Sequence, residues 1–255
     1  VMLVLIPLVF PTNPAVPFNE YKSLILHLGA VILAIILALD SIWNYKANIF
    51  RPSLISSGGH WLRDADRTIM VGVIMLGGSY LIATVLSPSP RISFLGFSEN
   101  YSGNSGYDVL SLVVVFVSVI IHARKLEHMR FLLNSLAAVA TVAAIYGLLQ
   151  VHGWDGIGSR QELSRPVSSF GNTLNFAGFL VVSIPITLFI GMSSKRPVWW
   201  STPIGLALGV QLAALWLTGG RAAIASTFIS SLALAVISIR YFDRQSAKLF
   251  AVTLL

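Results

Sequence analysis

Long apolar runs separated by short polar stretches dominate this chain: residues 1–10, 23–42, 69–86, 108–122, 131–150, 174–192, 202–217, 221–239 and 246–255. A helix needs about 20 apolar residues to cross the hydrocarbon of a bilayer, and most of these runs approach that length. The 108–122 run is shorter, but Val, Leu, Ile and Phe dominate it. No run alternates apolar and polar positions with period two, which argues against a transmembrane barrel. The pattern therefore predicts an all-α fold, a polytopic transmembrane helical bundle of about eight or nine spans. The first and last runs are too short to cross alone. Both end spans are expected to be incomplete, and residues 1–255 to form a single transmembrane domain, a fragment of a longer protein. Residues 1–10 lack the basic start and small-residue cleavage site of a signal peptide. Gly205 and Gly209 have the spacing of a close helix–helix contact.

Composition narrows the class. Of the 255 residues, 11% are charged and 55% hydrophobic, where a soluble domain carries roughly 25% charged and about 45–50% apolar residues. A disordered chain and an ordinary soluble enzyme are excluded. The lack of cysteine excludes a disulfide-stapled domain, Cys-ligated zinc or iron–sulfur chemistry and a Cys nucleophile.

The net charge of +7 reports topology. Taken alternately, the loops between runs carry 12 and 5 of the 17 Lys and Arg residues, and the positive-inside rule assigns the richer set to the cytoplasm. The excess orients helices, and no nucleic-acid partner is expected. Loops 11–22, 87–107 and 151–173 and the turn 218–221 then lie outside. Their basic residues are Lys22, Arg91, Arg160, Arg165 and Arg221.

Charges are scarce on that outer face, so each calls for a reason. The segment Arg165-Pro166-Val167-Ser168-Ser169-Phe170-Gly171-Asn172-Thr173 opens the 174–192 run from outside. Asn172 or Thr173 fits a helix N-cap, and Gly171 permits close backbone approach. The helix points its N-terminus outward, where free N–H groups and the positive dipole end favour an anion. Arg165 adds a planar fork suited to phosphate oxygens. The turn Thr218-Gly219-Gly220-Arg221 repeats the arrangement ahead of 221–239. A cation in the first turn of a helix is repelled by that helix's dipole, so Arg221 calls for an anion or a carboxylate.

Plainer roles stand beside these. Arg165 fits a surface charge, Arg221 a snorkelling side chain or a partner of Asp155 or Glu162, and Gly171 and Asn172 a turn and a cap. His152 reads as interfacial. His27, His122 and His128 read as structural, with no partner at ligand spacing, and no metal site is expected. Trp199 and Trp200 fit an interface belt.

These segments resemble the O-antigen ligase / O-antigen polymerase superfamily of bacterial membrane glycosyltransferases. The first family pattern is roughly Arg, then Ser/Thr-Phe-Gly-Asn-Pro-Asn, an aromatic and Ala-Gly-Tyr-Leu. It stands here as Arg165, then Ser169-Phe170-Gly171-Asn172-Thr173-Leu174-Asn175-Phe176-Ala177-Gly178-Phe179-Leu180. The second, Leu-Thr-x-Ser-Arg-Gly-Ala, stands as Leu217-Thr218-Gly219-Gly220-Arg221-Ala222-Ala223. A looser echo is Pro17-Phe18-Asn19-Glu20-Tyr21-Lys22, where relatives often place a Phe and a Lys. The chain departs from the patterns at Thr173, Leu174 and Gly220.

The resemblance implies a multi-pass protein of the bacterial inner membrane. Such a protein transfers a glycan from a polyprenyl diphosphate carrier to a hydroxyl of a glycan, lipid or protein acceptor, at the outer face and without metal or other cofactor. It further implies that Arg165 and Arg221, with Gly171 and Asn172, hold the diphosphate. The catalytic base is implied to be a His in a large outer loop outside residues 1–255. The alternative is a non-catalytic membrane subunit or degenerate relative that binds lipid or a partner protein, which the three departures favour. A transporter expects ionisable residues at mid-membrane depth, and the runs show almost none beyond His27 and Gln211.

Overall fold

The computed structural model describes residues 2–9, 18–46, 60–96, 105–122, 125–154, 164–193 and 198–241. Among these residues the fold is all-helical, with no strand. The helices are α1 (Met2–Leu8), α2 (Phe18–Lys46), α3 (His60–Val85), α4 (Pro90–Leu95), α5 (Gly106–His122), α6 (Leu126–Val151), α7 (Thr173–Ser193), α8 (Val198–Thr218) and α9 (Arg221–Tyr241). A 3-10 turn covers Ser168–Phe170. Each inner apolar run becomes one helix, and the expected 246–255 remnant lies outside the described residues. The expected 87–107 loop contains one short helix, α4, which starts at Pro90. Proline suits a first helical position, because the N–H it lacks has no partner there.

Four stretches are long and apolar enough to cross a membrane: Tyr21–Asp40, Thr68–Val85, Leu126–Val151 and Thr173–Met192. Shorter apolar helices cover Gly106–His122, Thr202–Thr218 and Arg221–Ile237. Ile74, Met75, Val85 and Leu86 are each more than half exposed, an arrangement that suits lipid and not water. Four such helices mark a multi-pass membrane protein.

The chain divides into two compact units. Residues 23–124 form one, with most of α2 and all of α3, α4 and α5. Its polar centre is Asp108, only 2% exposed. The carboxylate accepts from His27 Nε2 at 2.8 Å, from Ser23 Oγ at 3.0 Å and from the backbone N–H and hydroxyl of Ser105 at 3.0 and 2.6 Å. The Asp108 N–H returns a bond to Ser105 Oγ at 3.1 Å, which makes a capping box at the start of α5. His27, expected to be structural, thus has a carboxylate partner. Its carboxylate comes from another helix, 81 positions away, where sequence spacing gives no hint.

Residues 1–22 and 125–255 form the other unit. Small residues on α6 (Ala137, Ala140, Ala143 and Ala144) are buried, and Phe176, Leu180, Ile184 and Leu188 form a buried stripe on α7 at i, i+4 spacing. Small side chains let the helix backbones approach closely, which is how helices pack where lipid removes the hydrophobic drive. Gln211 of α8 is wholly buried. It donates to Thr141 Oγ1 on α6 at 2.9 Å and accepts from Thr187 Oγ1 on α7 at 3.2 Å. The one polar residue expected at depth in this unit thus pins three helices together. Gly205 and Gly209, expected at a close contact, have nothing within 4 Å of an added Cβ.

Candidate functional site

The segment before α7 is seated by a glycine on α6. A Cβ at Gly147 would lie 3.0 Å from the Phe176 ring and 3.2 Å from Pro166 Cβ. Any larger residue there would push away both α7 and the residue next to Arg165. The chain then makes a tight turn in which Ser168 has φ of +50°, a conformation costly for a residue with a Cβ. Gln150 holds it. Its Oε1 accepts from the Ser168 N–H at 2.7 Å, and its Nε2 donates to the Ser168 carbonyl at 3.3 Å. Ser168 Oγ donates to the Ala143 carbonyl at 2.7 Å, and Ser169 Oγ donates to the Pro7 carbonyl of α1.

Gly171 follows in the left-handed region at φ +65°, reversing the chain into α7. Asn172 caps the helix, its side-chain oxygen accepting from the Leu174 N–H at 2.8 Å. Of the two expected capping residues, Asn172 is the one used. Both Gly171 and Asn172 are exposed.

The α8–α9 turn closes against this segment. Thr218 Oγ1 donates to the Leu215 carbonyl at 2.6 Å and accepts from the Gly220 N–H at 3.3 Å. Gly219 has φ of +67°, and a Cβ there would lie 3.5 Å from Arg165 Cζ and 3.7 Å from Nε and Nη1. Arg165 thus lays its guanidinium on the turn whose next helix begins at Arg221. A Cβ at Gly220 would stand 3.6 Å from Ala177 in the first turns of α7. The N-termini of α7 and α9 therefore lie side by side, and neither has an acidic residue in its first turn.

Arg165 and Arg221 are both exposed, and neither forms an ion pair among the described residues. Asp155 and Glu162, their plainer expected partners, lie outside those residues, as do the side chains of Trp199 and Trp200. His152 is exposed, and its Nδ1 donates to the Leu148 carbonyl at 2.8 Å, in keeping with an interfacial role. Lys22 reaches the same segment. Its Nζ sits 4.2 Å from the centroid of the Phe170 ring, and that ring packs on Phe176 and Phe179 at centroid distances of 5.7 and 4.9 Å.

Two dipole ends and two arginines gather at one end of this unit, an arrangement that attracts an anion with several oxygens. The residues that sequence reading missed are those that build the seat: Gly147, Gln150 and Ser168. A glycine and a glutamine near the C-terminal end of an apolar run were the signals available for the first two. Comparison of the chain with protein-family models, curated proteins and solved structures finds no match.

Proposed function

We propose that this protein is a glycan ligase or polymerase of the bacterial inner membrane, of the O-antigen ligase kind. It moves a glycan from a polyprenyl diphosphate to an acceptor hydroxyl at the outer face. The observation that carries the reading is the contact of the Arg165 guanidinium with Gly219, two residues before Arg221. Segments more than fifty positions apart, each singled out by its own motif, meet at one end of the unit. Around the departures at Thr173, Leu174 and Gly220 the cap and the turn are formed. Asn172 caps α7 through the Leu174 N–H, and the Gly220 N–H donates to Thr218 Oγ1.

In the reaction the acceptor oxygen bonds to the anomeric carbon, and its proton passes to a general base. The resemblance assigns that base to a His outside residues 1–255. The bond from the anomeric carbon to the diphosphate oxygen breaks, and its electron pair stays on that oxygen. Arginine forks and helix N-termini fixed around the diphosphate stabilise the charge that develops there, and fixed donors of this kind lower the barrier without reorganising.

The test is transfer by the full-length protein in proteoliposomes, with a polyprenyl diphosphate glycan as donor. Arg165→Ala and Arg221→Ala should each lower the rate by about 10²–10³ while membrane insertion stays normal. Arg221→Lys should also fail, because an ammonium does not supply the planar fork. Wild-type rates for either alanine variant would overturn the site.

A further inference from the structure

The proposed transfer leaves Lys22 without a role, yet its position is unusual. Its side chain is half-buried, its ammonium is sealed from solvent, and among the described residues that ammonium has no hydrogen-bond partner. Its close neighbour is the face of Phe170. A cation over a ring gains about 0.5–2 kcal/mol, whereas the desolvation of a charge costs several kcal/mol. The ring alone does not offset that cost, so the ammonium calls for an anion. The place is telling, because Phe170 directly precedes Gly171 and Asn172 at the start of α7 and lies five residues from Arg165.

We infer that Lys22 is the leaving-group cation of this site, taking up the charge that appears on the diphosphate as the glycan departs. The inference rests on the diphosphate reading above. The donor is a diphosphate esterified at both ends, with one negative charge on each phosphorus. When the anomeric C–O bond breaks, the electron pair adds a further negative charge to the terminal phosphate oxygen. Arg165 and Arg221 balance the donor, and a third cation balances the product. An ammonium on a flexible four-carbon stem suits this task, because rotation about its side-chain torsions brings Nζ from the ring to a phosphate oxygen. An interaction stronger in the transition state than in the donor complex raises kcat and leaves KM alone.

The experiment uses the full-length protein in nanodiscs and two readouts. In transfer assays Lys22→Gln should lower kcat about tenfold or more with donor KM little changed, and Lys22→Arg should restore much of the loss. In binding assays Lys22→Gln should weaken undecaprenyl diphosphate about tenfold, a loss of about 1.4 kcal/mol, and the glycan-bearing donor far less. Removing an unpartnered charge should leave the melting temperature no lower than wild type. A wild-type kcat, a change confined to KM, or a marked fall in melting temperature would each overturn the assignment. Arg165→Ala serves as the control. If it abolishes transfer while Lys22→Gln does not, Lys22 alone is misassigned. If neither variant affects transfer, the diphosphate reading itself falls.

Discussion

At Gly147 a missing methyl group decides where Arg165 lies. Glycine inside a helix costs roughly 0.5–1 kcal/mol relative to alanine, so propensity alone favours replacing it. The contacts of 3.0 and 3.2 Å that a Cβ would make with Phe176 and Pro166 oppose this, and overpacking of that kind typically costs about 1–3 kcal/mol. Packing should win. Gly147→Ala is expected to lower the melting temperature of the purified protein and to reduce glycan transfer, although it touches neither arginine. Gln150 acts on the same seat by another means. Gln150→Leu keeps the apolar bulk but leaves the N–H and carbonyl of buried Ser168 unpaired. The expected cost is about 1–3 kcal/mol, measured as a lower unfolding midpoint. An unchanged midpoint would mean that the turn at Ser168 holds itself.

Helices were the legible part of this protein, for a physical reason. The bilayer sets their length and apolarity, so α2, α3, α5, α6, α7, α8 and α9 each correspond to one run of the sequence. Their ends were legible where chemistry is local: Asn172 caps α7, and Gly219 with Gly220 turns the chain into α9. Partners contributed by other helices were hidden. Nothing in spacing links His27 to Asp108, or Arg165 to Gly219, because packing makes those pairs. The Asp108 cluster gives a test at this scale. Asp108→Ala removes the carboxylate that His27, Ser23 and Ser105 share, while Ser23 Oγ and His27 Nε2 keep their 3.4 Å contact, and should destabilise the 23–124 unit by about 1–3 kcal/mol. Ser23→Ala should cost less, since the carboxylate keeps its bonds from His27 and Ser105. Thermal melts of the two variants in detergent check the order, and equal losses would contradict it.

For the molecule as a whole, function depends on which side of the membrane the arginine end faces. Within the unit of residues 1–22 and 125–255, the end of α6, the starts of α7 and α9 and the end of α8 come together, so Arg165 and Arg221 share one side. The distribution of Lys and Arg over the loops predicts that this side is the exterior. Residues 1–255 contain no cysteine, so a cysteine introduced among them adds a new site whose labelling, read against the parent protein, reports the topology. Ser164→Cys, in an exposed position beside Arg165, should react with a membrane-impermeant maleimide in cells whose outer envelope has been permeabilised. Ser194→Cys, in the loop that carries Lys195 and Arg196, should react only after the inner membrane is broken. The reverse pattern would place the cationic end in the cytoplasm. A glycan carrier presented on the outer leaflet would then be out of reach, and the proposed transfer reaction would have to be abandoned however well the arginines are arranged.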